Sequence, residues 1–367
     1  MNRPRHVVFL SWRDTSHPDG GGSELYVETI AAGLARRGHR VTVLCARHPG
    51  SSRSELRDGV RFVRLGSRLS VYPRGLAWVL AHRRQIDAVV DVINGLPFAT
   101  PLVRRHGVVG LIHHVHREQW RIIYPGIGGR LGWWVESRLV PFLYRRVPLI
   151  TVSEASRADL VGLGFDAEQL TVVHNGTSPA PPARLTRASS PRLVVLSRLV
   201  PHKRIELAVD LVVDLRNEFP DLHLDLVGDG WWADEIDEHI TRRNAGDRVT
   251  RHGHVDEQTR TDLLAQAWAL VLPSVKEGWC LAVTEAAVVG TPALAFASAG
   301  GTRESIADGD TGLLADDYDD LVRKTRELLH AGPPQVMGTR ARQRALTFDW
   351  ESSVTAFETA LGLRHSP

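Results

Sequence analysis

Short apolar, β-branched runs alternate with longer amphipathic stretches along nearly the whole chain. That pattern predicts parallel sheets built from strand–helix–strand units. In the first half the predicted strands are His6–Trp12, Val41–Ala46, Val60–Leu65, Ala88–Ile93, Val108–His113, Leu149–Ser153 and Thr171–His174. Helical patterns separate most of them. The clearest is Ser23–Arg37, with apolar Leu25, Ile30 and Leu34 and a stop at Gly38. Residues Ser178–Pro191 break the rhythm, because four prolines among small polar residues suit neither a central strand nor a helix interior. The alternation restarts with Arg192–Ser197, His223–Val227, Val249–Gly253, Ala269–Pro273 and Pro292–Ala297. Two doubly wound α/β domains are therefore expected, residues 1–178 and 191–346, joined by a linker over 179–190. Ligands of such domains bind in the crevice at the strand C-termini.

Composition narrows this picture. A chain of 367 residues exceeds what one hydrophobic core comfortably holds, and 43% hydrophobic with 24% charged residues is ordinary for a soluble globular protein. No apolar run reaches the roughly 18–20 residues that span a bilayer. The start, MNRPRHVVFLSW, runs into a strand without signal-peptide architecture. Two cysteines, Cys45 and Cys280, argue for a reducing compartment and against a disulfide framework or a cysteine metal site. A cytoplasmic location is expected. Net charge is +3, but residues 1–177 hold 24 Arg and no Lys against 14 acidic residues, whereas the remainder holds 21 basic against 28 acidic. A basic half suits an anionic partner such as a phospholipid surface, an anionic acceptor or nucleic acid; arginine-rich solvated faces favoured by a GC-rich genome account for it equally. The arginines are dispersed and no recognised nucleic-acid module occurs, so nucleic acid is not an expected partner.

The loops after the predicted strands carry the candidate chemistry. Gly20-Gly21-Gly22 follows the first strand and opens the long helix, where free N–H groups attract phosphate and glycine admits close approach; a flexible turn capped by Ser23 is the plainer alternative. His113, His114 and His116 follow strand Val108–His113, in position to bond sugar hydroxyls or handle protons. A metal site at His114 and His116 lacks a supporting carboxylate or cysteine motif. In the second half, Arg198 and Lys203 lie in the first strand–helix loop, a guanidinium fork and a point charge suited to a diphosphate. Lysine is informative here, since the chain uses three amid 42 arginines. Gly228-Asp229-Gly230 loosely fits a dinucleotide fingerprint, but it sits on the domain's second unit and puts Asp229 where pyrophosphate would approach. The most specific stretch runs from Leu272 to Pro292. Glu277 precedes a helix expected to begin near Leu281, and Glu285 lies about one turn inside it, so one carboxylate reaches a sugar and the other a ribose diol. A retaining hydrolase would need carboxyls about 5–5.5 Å apart, whereas eight helical residues rise about 12 Å.

These residues resemble the retaining glycosyltransferases of family 4, over essentially the whole chain and most specifically in Glu277…Glu285 with the Gly290-Thr291-Pro292 sequel. The resemblance implies a GT-B fold: two Rossmann-like doubly wound domains, an interdomain cleft and a C-terminal crossover helix over 347–367 that returns to the first domain. It implies that Glu277 contacts donor-sugar hydroxyls, Glu285 the ribose, and Arg198 with Lys203 the diphosphate. The backbone at Ala282, Val283 and Thr284 would cap the phosphates, Gly21 and Gly22 would form the opposite phosphate-side loop, and His254 with Val255 would hold the base. His113 matches the histidine facing the donor sugar, with His114 beside it as a competing register. Ser153 matches the serine closing the first-domain site, and Gly228 is a secondary donor-loop candidate. The implied reaction is front-face substitution on a nucleoside-diphosphate sugar, with no metal and no further cofactor. Asp308-Gly-Asp310 reads as a turn. The base, the sugar and the acceptor are not specified; loops 13–19, 67–74 and 117–130 would select the acceptor.

Rival readings are a non-catalytic nucleotide-sugar-binding or scaffold protein on the same fold, which the intact cations and glutamates oppose, and a non-hydrolysing sugar epimerase. One further stretch, Trp120–Arg146, is both aromatic and arginine-rich. It reads either as a packed helix with Trp133 and Leu139 buried under an arginine-covered face or as a helix lying on a membrane, so a peripheral membrane contact through the basic half stays open.

Overall fold

The computed structural model describes residues 4–363. The chain divides into two compact units, one formed by residues up to Gly176 together with those from Asp349 on, the other by Thr177–Phe348.

The first unit is an eight-stranded sheet ordered β3-β4-β2-β1-β5-β6-β7-β8. Its strands are β1 (His6–Leu10), β2 (Arg40–Cys45), β3 (Ser54–Arg57), β4 (Val60–Arg64), β5 (Ala88–Val92), β6 (Val108–Ile112), β7 (Leu149–Thr151) and β8 (Leu170–Val172). All neighbours pair parallel except β3 with β4. Strands β1, β5 and β6 are buried at every position, as strands covered by helices on both faces must be. From β1 the chain winds one way through β2 and β4 and the other way through β5 to β8, so the β1–β5 boundary is the switch point where such sheets open a crevice. Edge strand β3 was not expected. Its sequence, Ser-Glu-Leu-Arg, has no apolar run, and it pairs through a tight turn at Asp58-Gly59, where both residues have positive φ.

The second unit is an all-parallel six-stranded sheet, β11-β10-β9-β12-β13-β14. Its strands are β9 (Arg192–Leu196), β10 (His223–Val227), β11 (Val249–Gly253), β12 (Ala269–Leu272), β13 (Ala293–Phe296) and β14 (Gly312–Ala315). Strand β14 was also not expected; it follows the tight turn around Gly309, where Asp308 Oδ1 accepts from the Leu314 N–H. The proline-rich stretch is no free linker. Arg184 N–H donates to Asp262, the Ala188 carbonyl accepts from Trp268 Nε1, and Arg187 Nη2 donates to the Gly290 carbonyl at 2.5 Å. The stretch is a strap on the second unit, satisfying its polar groups there because proline cannot join a ladder.

Helix Trp350–Ala360 belongs to the first unit and packs along helix Gly22–Arg36. A Cβ on Gly33 would lie 2.3 Å from a Val354 methyl, so the glycine is what lets the two helices close. Buried Glu358 accepts from Arg37 Nη1 at 2.7 Å and pairs with His39 Nε2 at 3.0 Å. Removing that carboxylate leaves the buried His39 ring without its partner and takes one partner from the half-buried Arg37, which keeps Glu351 and Thr355. Glu358→Ala is expected to cost about 2 kcal/mol, less than a fully buried pair because Arg37 is partly solvated; urea denaturation followed by circular dichroism measures it, and an unchanged midpoint would contradict this anchoring role.

Candidate active site

In the second unit three strand–helix loops are sewn together by backbone hydrogen bonds. The loop after β9 carries Arg198 and Lys203. Val275 N–H donates to the His202 carbonyl at 2.9 Å, joining this loop to the one after β12. Glu277 N–H donates to the Ala299 carbonyl at 2.7 Å and its own carbonyl accepts from Gly301 N–H at 3.0 Å, joining the loop after β13. That approach needs glycine, since a Cβ on Gly301 would lie 2.1 Å from the Gly278 carbonyl oxygen. The convergence buries the Glu277 carboxylate, and Lys203 Nζ meets its Oε1 at 2.5 Å. A buried carboxylate of this kind is tolerable only with a cation beside it.

Beyond Glu277 the chain turns through Cys280, held at φ +76°, into helix Leu281–Val288. Burial first, then the nearby Glu277 charge, push the Cys280 thiol up to about 12, so it stays neutral. The helix start presents Ala282, Val283 and Thr284; the Val283 N–H is engaged by the Cys280 carbonyl at 3.1 Å. Glu285, one turn in, is partly buried and pairs with Arg260 at 3.5 Å. Burial raises its pKa and the Arg260 guanidinium opposes the shift. His254 and Val255 occupy the short loop between β11 and the helix capped by Asp256, with His254 exposed and Val255 packed on the core.

The Gly228-Asp229-Gly230 segment has a mechanical role. A Cβ at Gly228 would lie 2.0 Å from the Ser197 carbonyl oxygen, and one at Gly230 would lie 2.1 Å from that of Leu199. Leu199 N–H donates to the Asp229 carbonyl and Trp232 N–H to the Leu199 carbonyl. The glycines let this loop brace the backbone on both sides of Arg198, which is why the dinucleotide-like spacing occurs on the second βα unit. Ser274, between β12 and Glu277, was not singled out in the sequence. Its Oγ is buried and has no hydrogen-bond partner among the described residues.

In the first unit Gly21 caps helix Gly22–Arg36, and its N–H donates to Glu24 Oε2 at 2.8 Å. Glu24 is buried against Arg13, whose Nε lies 2.8 Å from its Oε1. The amide expected to meet a phosphate thus already holds a carboxylate, a substitution of one anion for another at a helix start.

His113 lies just past β6, buried, its ring edge-on to Tyr26 at 5.2 Å between centroids. Tyr26 in turn packs on Trp350 and Phe357, so the C-terminal helix backs the ring that backs the histidine. The His113 Nε2 is buried without a hydrogen-bond partner among the described residues. Burial outweighs the attraction of the Glu24 charge and holds the imidazole down to about 4 from its ordinary 6.5, so it is neutral at physiological pH. Ser153 caps helix Glu154–Gly162 through the Ser156 N–H at 3.0 Å, and Ser156 Oγ donates to the His113 carbonyl at 2.9 Å. The serine pair thereby fixes the His113 loop.

His114 points elsewhere. Its Nε2 meets the Gln119 side chain at 3.0 Å, and its ring lies 4.3 Å from that of His116. His116 Nδ1 meets Glu136 Oε1 at 2.8 Å, and the same buried carboxylate accepts from Trp120 Nε1 at 2.7 Å. Glu136 was not anticipated. It lies in a π-helical turn, Val135–Leu139, that no sequence period announces.

The Glycosyltransferase Family 4 model matches residues 20–181 and the Glycosyl transferases group 1 model residues 181–344. Glycogen synthase of Mycobacterium tuberculosis is 28% identical across 95% of this chain and 92% of its own length. Among solved structures, sucrose-phosphate synthase from Thermosynechococcus elongatus superposes with a TM-score of 0.81 at 20% identity, covering 97% of this chain and 98% of that one. The Anabaena protein HepE, solved with UDP and glucose, gives 0.75 at 18% identity over 98% and 99% of the two chains.

The buried imidazole has a pH signature. The unfolded chain takes up its proton near 6.5 and the native state resists until about 4. Stability present above that window therefore falls as pH drops through it, by about 3 kcal/mol in full. His113→Gln should flatten the acid limb of a urea-midpoint profile between these values; an unaltered slope would place the histidine outside the apolar pocket.

Proposed function

The chain belongs to the group 1 glycosyl transferases, enzymes that transfer sugars, and on that premise we propose that it takes its sugar from a nucleoside-diphosphate donor held by the second unit. The observation that carries this reading is the buried Lys203–Glu277 pair where three strand–helix loops meet ahead of the helix at Leu281. In the free protein Lys203 neutralises Glu277. A donor diphosphate brings its own negative charge to Lys203 and Arg198, which releases Glu277 to accept from hydroxyls of the sugar. Backbone N–H groups at Ala282–Thr284 add the helix-start field to the same phosphates. As the glycosidic bond breaks, charge grows on the departing diphosphate, and these fixed donors stabilise it more than the ground state.

Glu285 holds the ribose and the His254–Val255 loop holds the base. UDP is the donor base this reading favours, after the UDP bound by the HepE relative of the same fold. Gly21 and Gly22 serve the first unit's loop through the backbone room they leave, since the Gly21 amide is held by Glu24. His113, neutral and with an unfilled Nε2, bonds a sugar hydroxyl, and Ser153 supports its loop through Ser156; His114, turned to Gln119, does not take that place. Transfer proceeds on one face with retention of anomeric configuration. The cation pair and helix amides do the work a divalent metal does elsewhere, so turnover should persist in EDTA. The acceptor meets the first unit, whose surplus of arginine also suits a peripheral contact with a membrane.

Lys203→Ala and Glu277→Ala are each expected to lower turnover by about 10²–10³-fold, the usual cost of a lost charge-stabilising group. Both should keep native circular dichroism at the assay temperature, with Lys203→Ala melting lower because Glu277 loses its cation. Release of UDP from UDP-glucose measures the rate, and wild-type turnover in either variant would remove these residues from the site. UDP should raise the melting temperature of the native chain more than GDP, and Lys203→Ala should abolish that rise. The anomer of the first product, read by NMR, tests retention.

A further inference from the structure

Residues Arg117–Arg146 form the least conventional surface of the first unit. Helices Ile127–Trp134 and Val140–Tyr144 run on from each other through the π-helical turn Val135–Leu139. One face is built to pack. Gly129 and Gly132 lie against Trp120, where a Cβ on Gly132 would come within 2.4 Å of the indole, and Glu136, Val140 and Tyr144 continue that face into the interior. The opposite face carries Ile127, Leu131 and Trp134 at helical spacing, followed by Arg138, Phe142 and Arg145. Here the apolar residues point outward: Ile127 is 83% exposed, Leu131 60%, Trp134 53% and Phe142 62%. The arginine-covered outer face of a merely packed helix does not describe this arrangement. Large apolar side chains at successive turns on an outer face mark an interaction surface rather than ordinary exposure.

The charges around this stripe select its partner. Within the segment Arg117, Arg121, Arg130, Arg138, Arg145 and Arg146 are all exposed, against one exposed carboxylate, Glu118; outside it, exposed Asp166 and Glu168 line the hollow beside Arg145 and Arg146, so the cationic excess is strongest over Arg117–Arg138. The second acid of the segment, Glu136, is buried under His116 and Trp120. A second copy of this chain would present the same cations and be repelled. An anionic lipid surface offers both an apolar layer for the aromatic stripe and phosphates for the guanidinium groups. No helix among the described residues is long and apolar enough to cross a membrane.

We infer that the outward stripe Ile127–Leu131–Trp134–Phe142 seats the first unit on an anionic membrane, with the flanking arginines on lipid phosphates. This deepens the membrane contact placed above on the basic unit: it names the face that inserts and the charge of the lipid. The stripe includes none of the residues placed on the donor above, and its four side chains are exposed. The stripe lies on the same segment as His116 and Glu136, just beyond the His113 loop, so a lipid-borne acceptor would be delivered to the loops that carry the first unit's chemistry.

The test is co-sedimentation of the native chain with vesicles of phosphatidylcholine alone or mixed with phosphatidylglycerol. Binding is expected to the mixed vesicles, weakening as salt rises. Trp134→Ser with Phe142→Ser should weaken it by about tenfold through lost insertion, and Arg138→Glu with Arg145→Glu by a similar factor through charge. The UDP-induced melting shift should be unchanged in both, because the substituted positions are exposed. Native-level binding by the serine double variant would overturn the stripe while leaving a diffuse basic contact in place. Equal binding to neutral vesicles, or none to either, would overturn the anionic contact altogether.

Discussion

The second unit depends on how a carboxylate is accommodated away from water. Glu277 is shielded from water by the meeting of three loops, and the Lys203 ammonium beside it helps make that placement tolerable. Every nearby oddity serves this arrangement. Gly300 and Gly301 admit the Glu277 backbone, Gly228 and Gly230 admit the loop carrying Arg198, and Cys280 accepts a left-handed backbone so that the following helix can start. These positions trade local conformational comfort for the fixed placement of two charges, as sites for developing charge require.

The first unit is governed by a different condition, an imidazole kept uncharged. His113 is neutral because Tyr26 and the strands around it exclude water, and Tyr26 is held by aromatic residues from the end of the chain. The C-terminal helix thus reaches the chemistry at one remove. The same helix is anchored by Glu358 on Arg37 and His39. Glu136 plays a similar part for His116 and Trp120, and the π turn that supplies it joins the two helices that carry the outward stripe.

How much of this was legible depends on the range of the interaction. The central strands could be read directly because residues such as Val7–Leu10 and Leu193–Val195 are buried on both faces and so form unbroken apolar runs. Strand β3 could not, since its pairing comes from the Asp58-Gly59 turn and its four residues include two charges. The proline-rich stretch was legible as neither helix nor strand, but its attachment rests on carbonyl and carboxylate partners some 80 positions away, Asp262 and Ala267 among them.

What the sequence determined by itself was local and periodic: alternation that makes parallel sheets, glycines and helix starts after strands, and scarce lysine placed at a strand–helix loop. What only the tertiary structure decided was which groups share a place and which face meets water. That Lys203 closes on Glu277, that Glu24 fills the Gly21 amide, that His113 rather than His114 is sealed from solvent, and that Trp134 points out while Glu136 points in are matters of through-space distance and burial. The reason is physical: propensity and period act over a few residues, whereas desolvation and Coulomb energy depend on neighbours that only the folded chain brings together.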